Sequence, residues 1–284
     1  MTKELEKKVN QAIKLLQSIP QDKGQITLAY SGGKDSDVCL ELCKMAGIPF
    51  KAVYHSTTID PPGTIRHVEE NGVEISRPQD PFFKLMQKNG YPSRFARYCC
   101  RLLKERYDSD IVIQGIRASE SKARADRYKE PEQCRVFDKK HKSRVYMPIL
   151  FWTDDDVSEF VNERGVKCHA LYYSGGGYFD ASKRLGCVGC PLQSVKKRIE
   201  AFRENPKFMR LYIKNAQVWY DAHSGTDKPR KYTNAIDHFV ATLFYDNYDK
   251  FMEATYTTFG RTDWRKYLEE YFKINLSDIP YNIE

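Results

Sequence analysis

Three groups of residues have types and spacings suited to chemistry. The first is Tyr30-Ser31-Gly32-Gly33-Lys34-Asp35-Ser36-Asp37, which follows a run where Ile26, Leu28 and Tyr30 alternate with smaller or polar residues. Two adjacent glycines let the backbone turn sharply and bring its N–H groups close to an anion. A helical pattern opens directly afterwards, adding its N-terminal dipole and unpaired N–H groups. Ser31 and Ser36 supply hydroxyls and Lys34 a compact positive charge. The pattern is neither GxxxxGK[ST] nor GxGxxG. Read locally, it is either a phosphate cradle or a Gly-rich strand-to-helix turn with a Ser or Asp cap.

The second group is Gly115-Ile116-Arg117-Ala118-Ser119-Glu120-Ser121-Lys122-Ala123-Arg124. Arg117 and Arg124 offer planar forks for sulfate or phosphate oxygens. A glycine at a strand end permits close backbone approach. Glu120 and Ser121 can orient an arginine or contact a ligand. The third group is drawn from eight cysteines. Cys39 and Cys43 lie one helical turn apart among apolar neighbours and read as small core residues. Cys134 stands alone. Cys187 and Cys190, two residues between them and followed by Pro191, have the spacing of a metal-ligand pair, for which Cys99, Cys100 and Cys168 are the candidate partners.

The elements expected to position these groups alternate between strand and helix. Strand patterns fall at 25–30, 50–56, 73–76, 110–116 and 144–149, and helical patterns at 37–45, 82–89, 97–107 and 154–164. This alternation predicts a Rossmann-like α/β domain with a mainly parallel sheet. Beyond Pro191 the segments 195–203, 206–220, 235–245 and 263–272 read as helices, so the expected division is a nucleotide-binding domain at 1–192 and a helical extension at 193–284. The loops after strands 25–30 and 110–116 would then share the carboxyl edge of the sheet, where open α/β folds bind ligands.

Composition sets the outer bounds. With 41% hydrophobic residues among 284, a large core is expected, and a net charge of +8 favours anionic partners or simply solubility. The start, with charges scattered through residues 1–16, reads as an amphipathic helix and not a signal peptide. No apolar run is long enough to span a membrane, and the expected location is cytoplasmic.

Six segments in order resemble the phosphoadenosine-phosphosulfate reductase family of the PP-loop, or adenine nucleotide α-hydrolase, group. They are the SxGxDS-like loop at 31–36, the turn Pro61-Pro62-Gly63-Thr64, the CCxxLK-like segment at 97–104, the GxRxxES..R-like segment at 115–124, the PI..W...DV-like segment at 146–157, and Gly186-Cys187-Val188-Gly189-Cys190-Pro191. The resemblance implies that Ser31, Gly32, Gly33, Lys34, Asp35, Ser36, Gly115, Arg117, Ser121 and Arg124 bind an adenine nucleotide (ATP, adenylyl sulfate or phosphoadenylyl sulfate, with Mg2+ as an accompanying ion). Lys34, Asp35, Arg117 and Glu120 are the catalytic candidates. It also implies a 4Fe-4S cluster on Cys99, Cys100, Cys187 and Cys190, with Cys168 able to replace one of the first two; zinc and unligated buried thiols are the alternatives.

The family's sulfate-assimilating reductases use a cysteine in a C-terminal ECGxH-type segment, whereas the last cysteine here is Cys190. Two activities follow: reduction of an adenylylated sulfate, drawing on an electron donor protein, or ATP-dependent sulfur transfer resembling DNA phosphorothioation, drawing on a sulfur donor. A third reading is a non-catalytic nucleotide or redox sensor. For a DNA or RNA acceptor, the basic segments 139–144, 196–198 and 228–231 would meet the backbone and Trp219, Tyr220 and Tyr232 would stack on bases; otherwise they are solvated faces and core aromatics. His169 is either a neighbour of the cluster or a satisfied loop histidine, and His55 is placed near the adenosine.

Overall fold

A computed structural model describes residues 1–105, 109–136, 142–223, 232, 234–245 and 247–281. The chain divides into two compact units with interleaved segments. The first comprises Met1–Ser56, Pro61–Arg77 and Glu105–Leu185; the second comprises Thr57–Asp60, Pro78–Lys104 and Gly186–Glu284. The sequence pattern predicts one boundary at 192/193. The packing instead assigns 57–60 and 78–104 to the second unit, because Ile59, Phe82, Leu85, Met86 and Leu103 belong to its apolar cluster.

The first unit holds α1 (Lys3–Gln17), β1 (Ile26–Tyr30), α2 (Lys34–Ala46), β2 (Lys51–His55), α3 (Thr64–Glu70), β3 (Glu74–Ser76), β4 (Ile111–Gln114), α5 (Lys122–Arg127), β5 (Glu132–Val136), β6 (Lys142–Tyr146) and α6 (Asp154–Arg164); α4 (Phe82–Asn89) belongs to the second unit. The six strands form one sheet in the order β3-β2-β1-β4-β6-β5, parallel except for the edge pair β5–β6. β1 lies between β2 and β4, so the strand order reverses at β1 and the loops after β1 and β4 open side by side, with Ala29 in register with Gln114.

The helices start and stop where capping chemistry dictates. Thr2 caps α1, whose Leu5, Val9, Ala12 and Leu16 form one buried stripe. Thr153 and Asp156 make a reciprocal capping box on α6, which ends at Gly165 in the left-handed region. Lys8 of α1 donates to both carboxylate oxygens of Asp156, at 2.9 and 2.8 Å. Cys39 and Cys43 are fully buried in the core, as their spacing suggested, and burial pushes the Cys43 thiol up to about 12.

The second unit adds α7 (Val195–Glu204), α8 (Pro206–Ala222), α9 (Ala235–Val240), α10 (Tyr248–Thr255), the hairpin β7 (Tyr256–Thr257) and β8 (Gly260–Arg261), and α11 (Trp264–Phe272). Its core centres on Phe82, Phe202, Tyr212 and Phe239, whose rings touch edge-on or tilted.

Several expectations are corrected. The strand read at 144–149 is β6, ending at Tyr146 in a turn, and its antiparallel neighbour β5 has too few apolar residues to signal itself. Within the helix expected at 97–107, Cys100–Lys104 form a π-turn, and residues 106–107 lie outside the described residues. Short α3, α5 and the β7–β8 hairpin lacked the length to show periodicity. Within the basic segment 196–198, Arg198 is 0% exposed and donates to the carbonyls of Leu243 at 2.7 Å and Pro191 at 3.0 Å, so it is a structural post and not a surface charge. Residues 139–141 and 228–231 of the other basic segments lie outside the described residues, and Ser143 is buried in β6. Tyr220 is buried with its hydroxyl 3.1 Å from His238 Nδ1, Tyr232 stacks on His238, and Trp219 packs on Gly90, so these aromatics serve the core. No helix among the described residues is long and apolar enough to cross a membrane.

Gly189 has φ +71, and a Cβ there would sit 2.4 Å from Phe202 Cζ, whereas Gly165 at φ +62 has open space. Alanine at 165 should therefore cost about 1 kcal/mol from left-handed strain. Alanine at 189 adds an overpacking cost of about 1–3 kcal/mol. Urea unfolding of the two variants should rank them in that order.

Candidate functional site

The loop from β1 to α2 is held by its own hydroxyls. Ser36 N and Oγ both donate to the Gly33 carbonyl, at 2.9 and 2.7 Å, and Ser31 Oγ donates to Ser36 Oγ at 3.2 Å. Gly32 has φ +75, which disfavours any side chain, and its Cα faces Thr64 and Leu185. At the end of β4, a Cβ on Gly115 would lie 2.8 Å from the Asp35 carbonyl oxygen and 3.2 Å from Ser36 N. Only glycine lets these two chain segments meet.

Arg117 is 1% exposed and its guanidinium is fully engaged. Nε donates to Asp35 Oδ1 at 2.7 Å, one terminal nitrogen to Asp154 Oδ1 at 2.7 Å and the other to Ser119 Oγ at 3.1 Å. Arg117 thus orients Asp35 and ties α2 to α6. Lys34 is 2% exposed; its ammonium donates to the Lys183 carbonyl at 3.3 Å and lies 5.4 Å from the centre of the Tyr172 ring. Burial holds the Lys34 pKa below the ordinary lysine range, with the Asp35 charge opposing.

These parts surround a cavity of about 210 Å³ lined by Ser31, Gly33, Lys34, Asp35, Gly115, Glu120, Arg124, Tyr172, Arg184 and Leu185. Glu120 forms ion pairs with Arg124 and, at 3.4 Å, with Arg184, which also donates to the Glu120 carbonyl at 2.9 Å. Burial, then the charge of Arg184, lowers the Arg124 pKa. Seven of the residues singled out in the sequence line this cavity. Gly32, Ser36 and Arg117 shape or buttress it instead, and the Ser121 hydroxyl caps α5 by accepting from Arg124 N. Tyr172, Arg184 and Leu185 escaped the sequence reading. The signal for Arg184 was its place in the run Lys183-Arg184-Leu185 ahead of Cys187. A larger depression of about 310 Å³ beside α1, lined by Leu15, Met147, Phe151 and Trp152, is mostly apolar and holds none of these groups.

The cysteines separate. Cys168 lies in the first unit, buried beside the Asp37 carboxylate, and burial followed by the Asp37 charge drives its thiol pKa up. Asp37 also accepts from the Tyr30 hydroxyl and lies 3.0 Å from His67 Nε2. In the first unit Cys168 is thus engaged with the Asp37 carboxylate. His169 follows it into the first unit, buried, with Nδ1 accepting from Leu171 N at 3.1 Å and Nε2 without a hydrogen-bond partner among the described residues.

Cys99, Cys100, Cys187 and Cys190 all fall in the second unit. A hydrogen bond with Cys100, burial, and the charges of Cys100, Cys187 and Cys190 push the Cys99 thiol pKa up. Burial raises Cys190, with Cys187 and Cys100 adding. The charge of Cys187 raises Lys104. Among the described residues, no three His, Cys, Asp or Glu side chains stand in ready metal-ligating geometry. The four thiols nevertheless share one neighbourhood, and a cation there would relieve the mutual repulsion of their thiolates. By donor chemistry they fit a soft metal centre.

A family model described as the phosphoadenosine phosphosulfate reductase domain matches residues 25–193. The chain is 34% identical over 150 residues to an uncharacterized 37.8 kDa protein of Escherichia phage 186, covering 48% of this chain and 42% of that one. It is 26% identical over 196 residues to the sulfate adenylyltransferase subunit 2 of Mycobacterium sp. (strain KMS), covering 58% and 63%. The chain thus spans less than two thirds of either relative's length. Among solved structures, a phosphoadenylyl-sulfate reductase from Candida auris in a phosphate complex aligns with a TM-score of 0.42 and 16% identity over 63% of this chain and 96% of that one. An NMN synthetase from Francisella tularensis aligns with a TM-score of 0.37 and 12% identity over 81% and 98%.

Replacing Arg117 by methionine strips a mostly buried Asp35 of its partner. The expected loss is about 2–3 kcal/mol, below the 3–5 of a fully buried pair because Asp154 is open to solvent. Denaturant unfolding measures it; a loss under 0.5 kcal/mol would mean that the pair does not hold α2 to β4.

Proposed function

The chain belongs to the phosphoadenosine phosphosulfate reductase family, and from that premise we propose that it is an enzyme acting on an adenine nucleotide whose anhydride-linked phosphate or sulfate groups enter the cavity of the first unit. The observation that carries the reading is the wall of that cavity, where Ser31, the Gly33 backbone, Lys34 and Arg124 meet. The N-terminus of α2 and two cations in a partly desolvated site favour a polyanion, and the loop is already folded around its own hydroxyls. Asp35, held by Arg117, fixes Lys34 from one side. Arg117 is thereby a positioning residue, while Lys34 and Arg124 touch the ligand.

Within this reading Cys99, Cys100, Cys187 and Cys190 hold a 4Fe-4S cluster. When bound, that group supplies one-electron chemistry at sulfur. The support is their shared neighbourhood: Cys100, Cys187 and Cys190 all act on the Cys99 thiol, and Cys187 and Cys100 act on Cys190. Iron analysis of anaerobically purified protein should give about four irons per chain, dropping to below one in Cys187→Ser. Stoichiometric zinc with no iron would overturn the cluster.

Titration calorimetry with ATP, adenylyl sulfate and phosphoadenylyl sulfate, followed by assays for AMP, pyrophosphate and sulfite, tests the nucleotide reading. Binding of none of the three would sink it. Sulfite release identifies the reductase and pyrophosphate release the ATP-dependent sulfurtransferase. The pH dependence has a definite sign. Burial depresses Lys34 in the free protein, and a bound anion raises it again. Affinity is therefore greatest below the depressed value and falls as pH rises through the bound-state value, with onset below the ordinary lysine value of about 10.4. Tyr172, pushed up to about 12 by burial, does not titrate in that window. Lys34→Met should weaken binding at least tenfold at pH 7 and abolish the alkaline decline.

A further inference from the structure

The two segments that supply the four thiols of the second unit are one-sided in charge. Between Gly90 and Lys104 stand Arg94, Arg97, Arg101 and Lys104, and between Gly186 and Ile199 stand Lys196, Lys197 and Arg198, with no aspartate or glutamate in either stretch. Lys104 lies beside Cys187 and Asp60, and Arg198 is buried on carbonyls. Arg94, Arg97, Arg101, Lys196 and Lys197 are exposed. Arg94 Nε donates to the Pro191 carbonyl at 3.2 Å and Arg198 to the same oxygen at 3.0 Å, so the turn at 94 meets the loop leading into α7. Phe95 stands on that turn and is 100% exposed. The turn is braced: Ala96 N donates to Ser93 Oγ at 3.0 Å, Ser93 N to the Ala96 carbonyl at 3.3 Å, and the Tyr98 hydroxyl to the Gly90 carbonyl at 2.7 Å. A ring held wholly in water by a hydrogen-bonded turn contributes nothing to the core.

Arg97 and Arg101 follow one turn apart, with Arg101 N donating to the Arg97 carbonyl at 3.4 Å. α7 carries Lys196 and Lys197 in its first turn, which holds no acidic residue. Cations there oppose the helix dipole, an arrangement that an anion over the helix N-terminus relieves. We propose that this face of the second unit binds a single-stranded polynucleotide, with Phe95 as the platform on which a base stacks and Arg97, Arg101, Lys196 and Lys197 as phosphate contacts. A strand of nucleotides uses both features, because every phosphate carries a charge and every base a stacking face. An acidic protein would answer the cations alone, and protein interfaces are poor in lysine. A duplex keeps its bases stacked on one another, so the strand must be single. The braced turn lowers the cost of ordering the ring on binding. The surface lies within the second unit and stands independently of the nucleotide reading. Deoxyribose and ribose strands share this chemistry, and the test separates them.

Fluorescence anisotropy of labelled dT and rU strands of about 12 nucleotides, with the full chain purified anaerobically, tests the surface. At least one strand should bind, the tighter of the two identifying the sugar, and a duplex of the same length should bind at least tenfold more weakly. Phe95→Ala should weaken the strand at least fivefold, whereas Phe95→Tyr, which keeps a stacking face, should stay within twofold of wild type. Phe95 is fully exposed, so both variants should fold, and metal content and thermal midpoint are checked alongside. Arg97→Gln combined with Arg101→Gln should weaken binding at least tenfold. It should also flatten the slope of log affinity against log salt by about 1.4, from two phosphate contacts at about 0.7 each. Phe95→Ala should bind ATP and adenylyl sulfate within twofold of wild type, so failure of either reading shows separately. Binding of neither strand, a duplex bound as tightly as the strand, or unaltered affinity in Phe95→Ala overturns the proposal. Polyglutamate that binds as tightly as the strand at equal charge, with Phe95→Ala like wild type, overturns it too and assigns the face to an acidic protein.

Discussion

Everything in the first unit's site is organised by the meeting of two backbone segments, the end of β4 at Gly115 and the first turn of α2 at Asp35. A methyl group at 115 would stand 2.8 Å from the Asp35 carbonyl oxygen, well inside van der Waals contact. Parallel pairing of β1 with β4 brings the segments alongside, and the glycine lets them close the last ångströms. Once closed, Arg117, two residues beyond, reaches Asp35 on one side and Asp154 on the other. The Asp35 carboxylate then stands beside the Lys34 ammonium, at 3.5 Å. The chain of consequence runs from a missing Cβ, through an ion pair, to a buried lysine with a carboxylate at its side.

Electrostatics is resolved differently in the two units. In the first, cations and carboxylates are paired, and the surplus positive charge points into a cavity where a ligand can neutralise it. In the second, a hydrogen bond with Cys100 and then burial push the Cys99 thiol up, and burial raises Cys190, with the charges of Cys187 and Cys100 acting on both. The segment Thr57–Asp60 contributes to that neighbourhood: the Cys187 thiol donates to Thr57 Oγ1 at 3.4 Å, and Asp60 fixes Thr57 through both its N–H and hydroxyl. Thr58 adopts φ +64, unusual for a β-branched residue, and its hydroxyl accepts from Phe82 N. Strain of about 1–3 kcal/mol at one residue is sustained there by the surrounding hydrogen bonds.

Buried polar groups elsewhere mark where residue type alone misleads. Arg198 sits in a lysine-rich segment and has the appearance of a surface charge, yet its guanidinium collects carbonyls from the loop at Pro191 and the π-turn at Leu243. A guanidinium is the side chain with enough donors to serve carbonyls from two separate segments at once. Cys168, adjacent in sequence to residues of the family's pattern, is likewise claimed by the Tyr30–Asp37–His67 network.

How much was legible follows from the range of each signal. The glycine loop, the strand before it and the helix after it are local in cause, since φ, capping and alternation are set within a few residues; so β1, β2, β3, β4, α2 and α6 were readable, and with them Ser31, Lys34, Gly115 and Arg124. Which cysteines share a neighbourhood, whether Arg117 meets ligand or Asp35, and that Arg184 belongs to the cavity depend on segments 60 or more residues apart in the chain. Edge strand β5 and the short helices carry too little periodicity to announce themselves. Sequence determined the Gly32–Gly33 turn and the supply of cations and thiols, because those are properties of residue type and neighbouring spacing. Tertiary structure alone decided the partners, because a buried charge is assigned its role by whichever oppositely charged group the fold places within about 3 Å of it.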